Sequence, residues 1–147
     1  MNQAIPFITF QPSRGQSAAE AMETYLEVFA DGRVTLDNRY GPEGPGAGGT
    51  VMMSEIEIAG QRLRFSDSFV AHEWDITPGV SLMVDCESAE ELERIFTALS
   101  ADGTVFMPLD DYGFGPFGWV GDRFGLTWQL GLAQAGLSRR HATHLNI

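Results

Sequence analysis

A helical spacing of apolar residues occurs twice in the chain. Met22, Tyr25, Leu26 and Phe29 recur at intervals of three and four, and so do Leu92, Ile95, Phe96 and Leu99. Such spacing gathers the apolar side chains into one stripe, so each segment is predicted to be an amphipathic helix covering an apolar surface. Both stripes begin alike, with Ser17-Ala18-Ala19-Glu20 before the first and Ser88-Ala89-Glu90-Glu91 before the second. The serine oxygen can accept a free amide of the first turn, while the glutamate three residues later bonds the amide of the cap itself. Each helix is followed by Ala-Asp-Gly, at residues 30–32 and 101–103. Gly32 and Gly103 are expected to end the helices in a left-handed conformation that costs glycine little.

Between the helices the pattern changes to that of strands. Residues 5–11 precede the first helix; residues 33–40, 50–58 and 61–67 follow it, the last two joined by a tight turn at Ala59-Gly60. Residues 79–85 precede the second helix, and residues 104–107, 117–121 and 126–130 follow. The order strand, helix and three strands is therefore stated twice. Over residues 17–34 and 88–105, seven of eighteen aligned positions are identical. This predicts an α+β fold made of two similar βαβββ modules within a single domain, residues 1–147. Module one spans about 5–67, a linker 68–78, module two about 79–132, and an aperiodic tail 133–147.

Composition narrows the function classes. With 44% hydrophobic and 11% aromatic residues, a chain of 147 residues can bury a core of its own. Nine basic against twenty acidic residues give a formal charge of −11, which repels a phosphate backbone. The one dense basic run, Arg139-Arg140-His141, falls in the tail, so nucleic acid is not an expected partner. No apolar stretch approaches the roughly 20 residues that cross a membrane, and the N-terminus lacks a basic segment followed by an apolar one. Cys86 stands alone and cannot form an intramolecular disulfide. A cytoplasmic location is the simplest expectation.

Several blocks resemble a known family. They are Ala19-Glu20-Ala21-Met22 with Tyr25 and Val28-Phe29, Tyr40-Gly41-Pro42, Gly60-Gln61, Val80-Ser81-Leu82, Met107-Pro108-Leu109-Asp110-Asp111-Tyr112, and the run from Phe117 to Leu130 containing Trp119, Asp122, Trp128 and Gln129. Together they resemble the 3-demethylubiquinone-9 3-methyltransferase-like branch of the vicinal oxygen chelate superfamily, which includes glyoxalase and bleomycin resistance proteins. The resemblance implies paired βαβββ modules curving into an incomplete barrel, the glyoxalase/bleomycin resistance/dihydroxybiphenyl dioxygenase-like fold, within a homodimer. It also implies a divalent metal held by residues of the first and fourth strands of each module.

Carried over strand by strand, those positions are Thr9, Phe65 or Asp67, Gly79 or Ser81, and Gln129. Asp67 alone is a good metal ligand; Gln129 offers a neutral carbonyl, and the hydroxyls of Thr9 and Ser81 are poor donors for zinc, nickel or iron. No metal or other cofactor is therefore expected. Thr9, Phe65, Asp67, Ser81 and Gln129 are read instead as candidates for a ligand pocket, with Phe10, Trp119 and Trp128 as aromatic neighbours. Strand alternation puts Trp128 and Gln129 on opposite faces.

Other groups are weaker candidates. His72-Glu73 and His141-x-x-His144 read as a solvated linker and a tail, and Cys86 as a buried structural thiol. The glycine-rich residues 43–48 superficially suggest an adenosylmethionine loop. Such a loop must open a helix, whereas this one leads into a strand, so methyl transfer is not expected despite the family label. The function anticipated is a small-molecule binding protein or metal-independent enzyme, with its ligand in the cleft between modules. A metal-dependent lyase, isomerase or dioxygenase of the glyoxalase type is the alternative. The small molecule itself is unknown, and catalytic residues are not assigned.

Overall fold

A computed structural model describes residues 1–133. The basic run at Arg139 and the His141/His144 pair lie outside the described residues. The chain divides into two compact units, a first from Met1 to Ile76 and a second beginning at Thr77.

The first unit contains β1 (Phe7–Phe10), a single 3-10 turn at Pro12–Arg14, α1 (Ala18–Val28), β2 (Arg33–Arg39), β3 (Val51–Ile58) and β4 (Gln61–Asp67). Its sheet runs β1-β4-β3-β2, with β1 parallel to β4 and the other neighbours antiparallel. The second unit repeats the plan with β5 (Ser81–Cys86), α2 (Ala89–Ser100), β6 (Thr104–Asp111), β7 (Pro116–Gly121) and β8 (Thr127–Leu132). The order is β5-β8-β7-β6, and β5 is parallel to β8. The repeat anticipated from the two capped helices is thus a repeat of whole modules.

The serine half of each capping box forms as expected. Ser17 Oγ accepts from the Glu20 amide at 3.3 Å, and Ser88 Oγ from the Glu91 amide at 3.1 Å. Glu91 Oε1 returns a bond to the amide of Glu87, one residue ahead of the cap. Each helix lays its apolar stripe on one face of its own sheet. In the first unit Tyr25 meets Phe65, which in turn stacks on Phe10, with ring centroids 6.0 Å apart in both pairs. In the second, Leu92, Ile95 and Leu99 are buried, and α2 comes so near β7 that a Cβ on Gly118 would lie 2.5 Å from the Phe96 ring.

Two sequence expectations change. Gly32 and Gly103 do not adopt left-handed conformations; in the second unit that role falls to Asp102, with φ 56°. Gly103 is required by space, because a Cβ there would sit 2.1 Å from the Gly121 carbonyl oxygen, and Gly32 is hemmed in by Leu26 and the Phe29 carbonyl at 3.0 Å. Strand β6 also runs four residues beyond its expected end, passing through Pro108. A proline is tolerated there because β6 is the edge of its sheet and the register shifts between Met107 and Asp110. The Ala59-Gly60 turn does form, with φ of 48° and 75°, the paired positive values of a primed hairpin turn.

At the end of β4 a buried carboxylate ties the first unit together. Asp67 is 2% exposed; its Oδ1 accepts from the Ala18 amide of α1 at 2.9 Å and its Oδ2 from the Val51 amide of β3 at 2.8 Å. Hydrogen bonds to a charged acceptor contribute about 1.5–3 kcal/mol each, and removing the acceptor leaves two buried amides unsatisfied. Asp67→Ala is therefore expected to lower unfolding free energy by about 3–5 kcal/mol in urea titrations. Asp67→Asn should lose less, since its remaining carbonyl oxygen still serves one amide. Equal stability of wild type and Asp67→Ala would contradict this role.

Candidate functional site

Each sheet has a face that its helix does not cover, and strand alternation decides which side chains reach it. In the first unit Ile8, Phe10, Leu63, Phe65 and Asp67 are buried on the helix side. Thr9, Arg62, Arg64 and Ser66 alternate with them and lie on the open side. Of the pocket candidates on β1 and β4, only Thr9 thus faces the open side. Phe65 is locked in the aromatic stack, and both oxygens of Asp67 already serve backbone amides.

In the second unit the other two candidates come together. Gln129 and Ser81 lie on parallel neighbours β8 and β5, and Gln129 Nε2 donates to Ser81 Oγ at 3.0 Å. Leu130 pairs with Gly118, the residue against which Phe96 of α2 packs, so Trp128 and Leu130 face the helix and Gln129 faces away. Trp119 pairs directly with Gln129 on that open face. Phe106 lies against Trp119, ring centroids 5.0 Å apart, and against the bare Cα of Gly121. Met83 is exposed beside Gly131.

The indole Nε1 of Trp119 is buried and has no hydrogen-bond partner among the described residues. Trp128 differs: its Nε1 donates to Asp122 Oδ2 at 2.9 Å, and Asp122 Oδ1 accepts the amides of Phe124 and Leu126, which fixes the turn into β8. Sequence reasoning grouped the two tryptophans, but only Trp119 belongs to the open face. Its signal was its position one residue out of phase with Val120, which pairs with Trp128.

The open face of the first unit is charged. Glu55, 6% exposed, pairs in register with Arg64, whose Nε lies 2.9 Å from Glu55 Oε1; Arg62 Nη1 is 3.8 Å from the same oxygen. Thr35 Oγ1 donates to Glu55 Oε2 at 2.6 Å. Those bonds, from Thr35 first and Arg64 next, hold the Glu55 carboxyl below the ordinary glutamate value of 4.5.

The segment after Asp67, read from sequence as a solvated linker, is anchored to residues 11–16. The fully buried Gln11 donates to the Trp74 carbonyl and accepts the His72 amide, and Arg14 donates to the carbonyls of His72 and Glu73. His72 stacks on Trp74, and its Nε2 lies 2.9 Å from Ser68 Oγ. Ser68 Oγ is also bonded to the carbonyl and amide of Val70, so a local turn accounts for its position. A cavity of about 210 Å³ borders Asp67, Ser68, Phe69, Thr50 and Pro45. That is less than the roughly 300 Å³ at which pockets for drug-sized molecules begin. Residues 43–48 connect β2 to β3 and open no helix, so they lack the setting of a nucleotide-binding loop.

The fit to a metal can be judged from donor chemistry. The open faces present Thr9, Ser81 and Gln129 at the carried-over positions, and among the described residues no group of three or more His, Cys, Asp or Glu is placed to hold an ion. A guanidinium, Arg64, lies on the open face of β4. Hydroxyls and one amide do not offset the dehydration of a transition metal, so the residues do not fit the superfamily's metal.

The sequence from residue 2 to 131 matches the family model of 3-demethylubiquinone-9 3-methyltransferase. Among solved structures, a Bacillus cereus PhnB protein named for the same methyltransferase is 38% identical over 90% of this chain and 100% of its own, with a TM-score of 0.83. A Pseudomonas aeruginosa protein is 26% identical over 90% of this chain and 98% of its own, with a TM-score of 0.75. A fosfomycin resistance protein from Listeria monocytogenes, solved with Mn(II), shares the fold at 11% identity over 95% of this chain and 99% of its own, with a TM-score of 0.60. A comparison with curated proteins found no match. The paired βαβββ modules define a vicinal oxygen chelate fold. Within it, the chain belongs to the 3-demethylubiquinone-9 3-methyltransferase-like family. No helix among the described residues is long and apolar enough to cross a membrane.

Because the Glu55 carboxyl is lowered in the folded state, its stabilisation is fully present above about pH 4.5 and is lost as pH falls through the lowered folded value. The difference in melting temperature between wild type and Glu55→Gln should therefore be largest near neutrality and shrink as pH falls below about 4.5. A pH-independent difference would contradict it. Burial, then Glu91 and Asp85, push the Cys86 thiol up to about 11. Native protein at mildly alkaline pH should resist iodoacetamide and react fully only in denaturant, as mass spectrometry will show.

Proposed function

We propose that the chain is a small-molecule binding protein or metal-independent enzyme whose ligand is recognised by Ser81, Trp119 and Gln129. The observation that carries this is the buried Trp119 indole N–H with no acceptor among the described residues. A buried donor left unsatisfied costs about 1–3 kcal/mol, which an acceptor atom of a ligand would recover. Next to it, Gln129 donates to Ser81 Oγ, which leaves the Ser81 hydroxyl proton and Gln129 Oε1 available. Phe106 and Met83 supply an aromatic and a thioether surface. A few polar anchors on an apolar wall suit a flat organic molecule bearing a carbonyl. Methyl transfer is not part of the proposal, and neither is a metal-bound intermediate. Phe65 and Asp67 act through packing and backbone hydrogen bonds.

The test is a nuclear magnetic resonance screen of planar aromatic ketones and amides against the ¹⁵N-labelled chain with a chelator present. Binders are expected to shift the Trp119 indole and Gln129 side-chain amide signals, and Gln129→Leu should weaken them by about tenfold. Binders that leave Trp119 unmoved, or that require added Mn(II) or Zn(II), would contradict the reading.

We also propose a cytoplasmic homodimer. Strand β2 is exposed at every residue, including Val34 and Leu36, and it forms an edge of its sheet, as does β6. Bare edges of this kind call for cover. Sedimentation equilibrium at micromolar concentration should give twice the chain mass; a monomer without concentration dependence would overturn the assembly.

A further inference from the structure

The basic residues of this acidic chain are all arginine; it has no lysine. Most of those described are committed to partners within the fold. Arg39 forks onto Asp37 through Nε and Nη2, Arg14 holds two carbonyls, Arg33 pairs with Glu57, and Arg62 bonds Gln3 beside Glu55. Arg64, like Arg33, is bonded through a single nitrogen, but to a buried partner: its Nε lies 2.9 Å from Glu55 Oε1, whereas Arg33 reaches the partly exposed Glu57 at 3.4 Å. Among the described residues Nη1 and Nη2 of Arg64 have no partner.

That arrangement fixes the orientation of one guanidinium. Glu55 is buried, is fixed from the other side by Thr35, and holds the guanidinium by one edge. The end-on pair of N–H donors is left to face outward, the fork that matches a carboxylate or phosphate. On the open face of this sheet three guanidinium groups, Arg33, Arg62 and Arg64, stand against two carboxylates, Glu55 and Glu57, so one positive charge is in excess locally. The acidic groups elsewhere are screened beyond about 8 Å at physiological salt. Phe7 pairs in register with Arg64 on the adjacent strand and is 52% exposed; Thr9 follows two residues along. An anionic head on Arg64 would thus leave an apolar body lying over an unused aromatic side chain.

We propose that Arg64, oriented by Glu55, anchors the oxyanion of an organic ligand, a carboxylate or phosphate ester with an apolar body, on the open face of the first unit. The proposal does not rest on the reading of the Ser81, Trp119 and Gln129 group.

Three probes test it with the full chain by ¹H–¹⁵N nuclear magnetic resonance: benzoate, phenyl phosphate and the neutral benzamide. Benzoate or phenyl phosphate is expected to shift Phe7, Thr9 and the Arg64 Nε–H signal saturably, and the tighter of the two identifies the headgroup. Benzamide should bind at least tenfold more weakly. Arg64→Gln should weaken the anion at least tenfold, and Arg64→Lys should fall between, since it keeps the charge and loses the fork. Because Arg64→Gln strands a buried carboxylate, the double variant Glu55→Gln/Arg64→Gln, with its fold checked by circular dichroism, must show the same loss. Shifts confined to the Trp119 indole would support the other site and overturn this one. So would benzamide binding as tightly as the anions, affinity unchanged in both Arg64→Gln backgrounds, or no saturable shift with either anion.

Discussion

The carboxylate of Asp67 ties the helix of the first unit to its sheet. It ends β4, one oxygen holds the start of α1 and the other the start of β3, and all three elements are brought to one corner behind the Phe10, Phe65 and Tyr25 stack. A buried charge is tolerable only when its oxygens are bonded, and here two backbone amides do so. With the helix fixed on that side, the opposite face of the sheet is left for Thr9, Arg62, Arg64 and Glu55. Helix-covered and open positions are thus separated by strand parity, and Asp67 falls on the covered side.

The second unit repeats the plan with different chemistry. Its buried aspartate, Asp122, lies between β7 and β8 and takes two amides and the Trp128 indole, so it fixes a hairpin and a side chain in place of a helix terminus. Its open face carries Gln129, Ser81, Trp119 and Phe106 where the first carries charges. One module plan therefore offers two kinds of surface, one apolar with neutral hydrogen-bonding groups and one with an ordered guanidinium. Among the described residues neither gathers three or more imidazoles, thiolates or carboxylates around one point, as a transition metal requires.

What the sequence made legible was local. Ser17 and Ser88, the two apolar stripes and the strand order needed only neighbours within a turn or an alternation, and the family blocks around Trp119 and Gln129 located the second module. Long-range constraints were hidden. Asp67 looked like a ligand because its partners, Ala18 and Val51, are remote in sequence. On β4 the choice between Phe65 or Asp67 and Arg64 or Ser66 depends on parity, and one residue of register exchanges the two faces. Gly103 was assigned to a left-handed turn when its reason is the Gly121 carbonyl across the sheet. The tie between Gln11 and the 72–74 segment left no periodic trace, so that segment read as a solvated linker.

Whether these faces serve a ligand through hydrogen bonds and a guanidinium, without a transition metal, is tested by elemental analysis of protein purified without chelators, followed by calorimetric titration with Mn(II) and Zn(II). A donor set of hydroxyls and an amide predicts less than stoichiometric metal and no tight site. One tightly bound ion per chain, lost in Gln129→Leu, would contradict recognition without a metal.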